Sequence, residues 1–145
     1  MNIPEDLRPH VIHATLIVAS DHMHASFLLA GGDAIEQVDA IAMPREKRQD
    51  SEGYFRSSDS SRHGDPNADT SDEPRLSAFT KAVATRTAEL IREQDTAHLH
   101  LVMPKEVERL VRQDLPQDAT KKIVRVRNLD LMKEDPITIL RRVYE

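Results

Sequence analysis

The chain has 145 residues, of which 31% are charged and 39% hydrophobic, a composition typical of one soluble globular domain. No apolar run approaches the roughly 18 residues of a membrane-spanning helix, and the N-terminus lacks the pattern of a secretory signal, so we expect a cytoplasmic protein without a membrane partner. The absence of cysteine excludes disulfides and cysteine-ligated metal centres.

The first part of the chain alternates between strand patterns and short polar breaks. Residues 1–10 are expected to form an N-terminal arm, because Pro4 and Pro9 discourage regular structure. Three apolar or alternating runs, 11–19, 23–30 and 35–42, predict three strands. The first is apolar throughout, which indicates a strand buried on both faces. The short turns between the strands predict an antiparallel meander.

A long polar segment follows at 45–72, in which Tyr54 and Phe55 are the only large apolar residues. Its composition is typical of a disordered or functional loop. We expect a helix to begin near Pro74, with this proline in the first turn, and to run to about residue 94. The predicted apolar stripe of this helix comprises Leu76, Phe79, Val83, Leu90 and Ile91.

The C-terminal part alternates between strands and helices. A strand is predicted at 97–103, a helix from Pro104 to about residue 115, and a strand around 123–126. Asp135 followed by Pro136 is a typical helix start and predicts a last helix. The order β-β-β-α-β-α-β-α predicts a single α/β domain over 11–145, a mixed five-stranded sheet with helices packed on it.

Charge is distributed unevenly along the chain. The net charge of −5 argues against a generally basic nucleic-acid binder. However, 104–127 hold seven bases against four acids, whereas 1–43 hold six acids and one base. Such asymmetry indicates either a face for an anionic partner or a mixed solvated surface, and the second is commoner.

Metal and catalytic motifs are weak in this sequence. It contains no P-loop, dinucleotide fingerprint, nucleophile elbow or zinc-protease motif. The pairs His22/His24 and His98/His100 have a spacing that directs both rings to one side of a strand and suits a metal, but histidines at sheet ends are the commoner interpretation. We predict no metal, cofactor or catalytic residue.

The element order also resembles the ribonuclease H-like fold, whose nucleases hold two metals with strand carboxylates. The first strand here has no acid, and the nearest carboxylates are scattered along the chain. They are Asp21, Asp39, Asp130 and Asp135. The sequence therefore does not predict a two-metal site.

Six pieces of the chain together carry a resemblance to known families. They are the opening strand at 13–21 with 25–27 after it, 62–66, the helix segment 79–84, the strand–helix unit 98–110 and 124–131. In their order and spacing they resemble the middle domain of archaeal and eukaryotic release factors and of Pelota. They resemble still more closely the short bacterial host attachment or translational machinery proteins.

The resemblance implies a small domain that presents a loop to ribosomal RNA or tRNA. Release factors carry Gly-Gly-Gln in this loop and promote hydrolysis of peptidyl-tRNA, but 45–72 contain no such motif, so the activity is not implied here. We therefore predict a non-catalytic ribosome- or tRNA-associated factor whose bases contact phosphates. The candidate RNA-contact residues are Arg45, Lys47, Arg48, Arg56, Arg62, His63, Lys121, Lys122 and Arg125.

Two alternatives stay open at this point. One is an RNA or peptidyl-tRNA hydrolase with an unrecognised site, and the other is a protein-interaction module with an indirect cell-attachment phenotype. An edge position of the third strand is compatible with a homodimer.

Overall fold

The computed structural model describes residues 1–43 and 64–145, and for 64–73 the backbone alone. Five strands form one sheet: Thr15–Ser20 (β1), His24–Gly31 (β2), Ala34–Ala42 (β3), His98–Val102 (β4) and Ile123–Arg127 (β5). The α-helices are Gly64–Gln94 (α1), Lys105–Asp114 (α2), Gln117–Thr120 (α3) and Pro136–Val143 (α4). The predicted α/β domain and the order of its strands and main helices are confirmed, and α3 is an additional short turn of helix.

The strand order across the sheet is β3-β2-β1-β4-β5. The first three strands form the predicted antiparallel meander. The two later strands, β4 and β5, run parallel to β1. The chain crosses back over the sheet through α1 before β4, and through α2 and α3 before β5. Every residue of central β1 is buried, as its apolar sequence predicts. Among the described residues, β3 and β5 are therefore the two edge strands.

The two faces of the sheet carry separate cores. Leu16 and Val18 of β1 face α1 and α2, whereas Ile17 and Ala19 face α4 and the N-terminal residues. The first core is completed mainly by Phe79, Val83, Leu90, Leu99, Leu101, Met103, Val107 and Val111. The second is completed mainly by Ile3, Leu7, Val11, Leu28, Ile35, Val102, Ile139, Leu140 and Val143. The alternation of residues along β1 and β4 thus sorts them between two helical layers.

The first residues of the chain pack on the domain instead of extending from it. Ile3 and Leu7 are buried in the second core, and the backbone N–H of Ile3 donates to the carbonyl of Asp33 over 2.7 Å. A short 3-10 helix, Arg8–Val11, has Pro9 in its first turn. Consequently β1 begins at Thr15, and the predicted start at residue 11 is wrong because Val11 ends this 3-10 helix.

Helix α1 begins earlier than the sequence predicts. The expected start near Pro74 is wrong, since the helix begins at Gly64 and Pro74 lies inside it. Pro66 occupies the first turn, where a missing N–H costs no intrahelical hydrogen bond. The last residues of the predicted loop 45–72 are therefore helical, and its remainder, 45–63, lies outside the described residues.

Edge strand β3 is tied to α1 by an ion pair. Arg86 Nε donates to Asp39 Oδ2 over 2.5 Å, and its Nη1 donates to Glu89 Oε1 over 3.1 Å. The hydrogen bond from Arg86 holds the pKa of Asp39 below its usual value. This pair joins the face of β3 to the helix that covers it.

Candidate nucleic-acid interface

Four cations follow one another along edge strand β5 and the turn before it. They are Lys121, Lys122, Arg125 and Arg127. Arg125 lies opposite His100 of β4, and Arg127 lies opposite Val102. Since Val102 belongs to the second core, both guanidinium groups lie on the sheet face that α4 partly covers. We call these four residues the β5 cations. Arg127 was not among the candidates predicted from the sequence.

The β5 cations have no side-chain carboxylate partner within the part of the chain that the structure describes. Lys122 Nζ donates to the Thr96 carbonyl over 2.8 Å, and Arg127 Nη2 donates to the backbone oxygen of Glu145 over 3.1 Å. Other arginines do pair with acids, namely Arg86, Arg112, Arg141 and Arg142. The positive charges of Lys121, Lys122 and Arg125 are therefore not neutralised by carboxylate side chains among the described residues.

Tyr144, directly after α4, lies against one of these cations, Arg125. The Arg125 guanidinium carbon is 5.0 Å from the centroid of its ring, a cation–π distance. The imidazole of His10 stacks on the same ring, with centroids 4.2 Å apart and planes 13° apart. The Tyr144 hydroxyl donates to the His10 carbonyl over 3.3 Å and also bonds His100 Nε2. A half-buried aromatic ring is thus fixed between a histidine and an arginine.

His100 is the buried member of this group, with 1% of its surface exposed. Burial, and then neighbouring positive charge, lowers the pKa of His100 to about 4, so the ring is neutral at pH 7. Its Nδ1 has no hydrogen-bond partner among the described residues. Burial also raises the pKa of the Tyr144 phenol, although the charge of Arg125 opposes this shift. Both groups are therefore uncharged around neutral pH.

The two histidine pairs singled out in the sequence have different surroundings. His98 and His100 lie on the same side of β4, and the ring of His98 meets that of His13 edge to face at 5.9 Å. His22 Nε2 lies 3.1 Å from Glu106 Oε1, whereas His24 Nδ1 lies 3.7 Å from Asp21 Oδ1. Among the described residues no three histidine or acidic side chains converge in a way that could hold a metal ion.

Each of the carboxylates that a two-metal nuclease would need already accepts a hydrogen bond from another group of the domain. Asp21 Oδ1 accepts from the backbone N–H groups of Met23 and His24 over 2.7 Å and 2.6 Å. Asp39 binds Arg86, as described above. Asp130 accepts from the N–H of Met132 over 3.2 Å. Asp135 caps α4, as the sequence predicts, by accepting from the N–H of Thr138 over 2.7 Å.

The structure brings together only part of the predicted contact set. Lys121, Lys122 and Arg125 lie together at the β5 edge. The other candidates, Arg45, Lys47, Arg48, Arg56, Arg62 and His63, lie outside the described residues. Sequence reasoning missed His10 and Arg127. Arg127 is visible in the local excess of bases, but no spacing connects His10 with a tyrosine 134 residues away.

Comparison with known proteins adds a family. A family model described as a protein required for attachment to host cells matches residues 16–143. No curated protein matches the chain. Within the described ranges, no helix is long and apolar enough to cross a membrane. The family match covers both halves of the sheet and all residues of the β5 edge. The chain therefore belongs to the family of proteins required for attachment to host cells.

Proposed function

We propose that this chain is a non-catalytic RNA-binding protein that associates with the ribosome or with tRNA. The observation that carries the proposal is the set of β5 cations, which lack side-chain carboxylate partners among the described residues and include Arg125, in contact with a half-buried aromatic ring. Phosphate contacts by lysine and arginine supply most of the affinity of a protein for nucleic acid. An acidic chain with net charge −5 needs such a local basic surface to approach RNA.

The resemblance to release-factor middle domains supports the same proposal. It implies that the segment between β3 and α1 contacts ribosomal RNA or tRNA, with Arg56 and Arg62 among the contacts. Because this segment lacks Gly-Gly-Gln, the resemblance implies binding without peptidyl-tRNA hydrolysis. In this proposal the β5 cations form a second contact surface on the rigid domain.

Co-sedimentation with ribosomes across a salt series tests the proposal. If the β5 cations neutralise four phosphates, raising salt from about 50 mM to about 200 mM should weaken binding about 50-fold or more. The double variant Lys121→Glu/Arg125→Glu should leave the ribosomal fraction at low salt. The matched control is Lys81→Glu/Arg92→Glu, which makes the same charge change at two exposed positions of α1.

The two double variants distinguish an effect of the total charge of the protein from an effect of charge at the β5 edge. Loss of binding in both double variants would mean that any reversal repels RNA, and this would contradict a specific β5 surface. Wild-type protein absent from the ribosomal fraction at every salt concentration would contradict the whole proposal. Charge reversal at Arg56 and Arg62 tests the segment between β3 and α1 in the same assay.

The family description favours a second candidate function. A protein required for attachment to host cells is expected to act through a protein partner if the effect is direct. Affinity capture with the wild-type chain distinguishes the two candidates. If one protein partner is recovered and stays bound after nuclease treatment, the interaction module is favoured. If nuclease treatment releases the captured material, the RNA-binding protein is favoured.

A further inference from the structure

Tyr144 is fixed in place by two separate elements. Its hydroxyl bonds His100 of β4 and donates to the carbonyl of His10 in the 3-10 helix. His100 itself is buried and meets the Tyr144 ring edge to face, with centroids 5.1 Å apart. The ring is therefore held in one orientation without any ligand, which lowers the entropy cost of stacking a further group against this cluster.

The stack continues outward from Tyr144 to His10. The two rings are nearly parallel at 4.2 Å, and His10 is exposed while Tyr144 is half-buried. Among the described residues, Tyr144 is the ring that contacts His10. The exposed imidazole is thus the outer ring of this two-ring stack among the described residues.

One of the β5 cations contacts this stack, and a second lies on the same sheet face. Arg125 lies 5.0 Å from the Tyr144 ring centroid, and Arg127 lies two residues further along β5. A flat aromatic group next to a negative charge is what one nucleotide provides, because its base stacks and its phosphate pairs with a cation. A base inside a duplex has both faces covered by its neighbours, so it cannot stack on a protein ring.

We propose that the His10–Tyr144–Arg125 cluster binds an unpaired nucleotide, with its base on His10 and its phosphate on the β5 cations. This inference rests on the proposed RNA-binding function and specifies its ligand as single-stranded RNA. Stacking on one aromatic residue gives modest sequence preference, since every base has a flat face. Purines are expected to bind more tightly because they stack over a larger area.

Fluorescence anisotropy with two labelled probes tests the inference. One probe is a single-stranded oligoadenylate of about ten nucleotides, within the range of single-strand site sizes, and the other is a G·C-rich RNA duplex of the same length, which stays paired at low probe concentration. His10→Ala keeps the backbone carbonyl that binds Tyr144 and removes the imidazole. We expect it to weaken oligoadenylate binding about tenfold and to leave duplex binding within about twofold.

Two further variants separate stacking from charge. His10→Phe restores a flat ring without a titratable nitrogen, and we expect it to bind oligoadenylate as tightly as wild type. His24→Ala makes the same change at an exposed histidine next to the other end of β1, and it should leave both affinities unchanged. Thermal unfolding of each variant checks that the fold persists.

The possible failures are distinguishable. If wild-type protein binds oligoadenylate and His10→Ala binds it equally well, the stacking inference is overturned while the proposed function stands. Failure of His10→Phe to restore binding overturns it too, because charge would then be the cause. If wild-type protein binds neither probe, both the inference and the RNA-binding proposal are overturned.

Discussion

His100 and Tyr144 meet edge to face across the second core, with ring centroids 5.1 Å apart and planes at 86°. A hydrogen bond joins His100 Nε2 to the Tyr144 hydroxyl. The same hydroxyl donates to the His10 carbonyl over 3.3 Å, and the tautomer of the neutral imidazole sets the direction of the bond to Nε2. The buried strand β4, the end of α4 and the N-terminal 3-10 helix are thus connected through one phenol group.

The neutral state of His100 predicts a loss of stability in mild acid. Its pKa is about 4 in the folded protein and 6.5 in an unperturbed histidine, so the unfolded chain binds the proton first as pH falls. The contribution of His100 to the free energy of unfolding is fully present above pH 6.5 and declines as the pH falls towards 4. Between pH 7 and pH 5 the free energy of unfolding should fall by about 2 kcal/mol because of this residue.

Urea unfolding of wild type and His100→Leu at the two pH values measures this contribution. The fall between pH 7 and pH 5 should be smaller in the variant by about 2 kcal/mol, since it has no imidazole to protonate at this site. The six other histidines remain in both proteins, so their contribution cancels in the comparison. An equal pH dependence in the two proteins would contradict the buried neutral imidazole.

Tyr144→Phe removes the hydroxyl and keeps the ring. His100 Nε2 would then lack a partner in a buried site, and its Nδ1 already lacks one within the described chain. We expect the free energy of unfolding to fall by about 1–2 kcal/mol. Chemical denaturation at pH 7 provides the measurement, and an unchanged midpoint would mean that water or another group satisfies the imidazole.

Asp95, directly after the last residue of α1, has a left-handed backbone conformation with φ of 51°. Glycine adopts this conformation without a Cβ clash, whereas alanine does not. Asp95→Gly should therefore be more stable than Asp95→Ala by about 1 kcal/mol. Both variants lose the same exposed carboxylate, so differential scanning calorimetry of the pair isolates the backbone effect. Equal melting temperatures would refute it.

Phe79 anchors α1 on the sheet and is 1% exposed. Phe79→Ala should lower the free energy of unfolding by about 3–5 kcal/mol, because it removes a buried ring and leaves a cavity. Ala78→Gly, at the neighbouring exposed position, should cost only about 1 kcal/mol through helix propensity. Similar losses in the two variants would show that α1 does not pack as described.

Lys121 is exposed and has no ion-pair partner among the described residues. If it contacts one phosphate, Lys121→Ala should reduce the slope of log K against log salt by about 0.7 for single-stranded RNA. Anisotropy titrations at several salt concentrations give this slope. Lys81→Ala is the control on α1, and an identical slope in wild type and Lys121→Ala would exclude the contact.

Most of the fold could be predicted from local patterns. The apolar run of β1 and the spacing of Phe79, Val83 and Leu90 identify a central strand and a core-facing helix. The cap at Asp135 is equally local, since the side chain and the N–H that it binds are three residues apart. Such features depend on neighbours along the chain, so composition and spacing are sufficient to identify them.

The start of α1 and the packing of the N-terminal residues could not be predicted in this way. The polar composition of 64–72 and the proline at position 74 both disfavour a helix, yet the helix runs through both. Ile3 and Leu7 are only two apolar residues among prolines and charges, and what buries them is the surface formed by β2, β3 and α4. That surface exists only once the sheet has formed.

The sequence alone determined the class of the domain, the order of its elements, the family and the basic character of β5. Each of these depends on patterns among residues that are close together along the chain. The tertiary structure decided that His10, His100, Arg125 and Tyr144 form one cluster. These residues come from four segments, and the contact between His10 and Tyr144 spans 134 positions. Sheet order and helix packing bring them together, and no periodicity in the sequence encodes a distance of that kind.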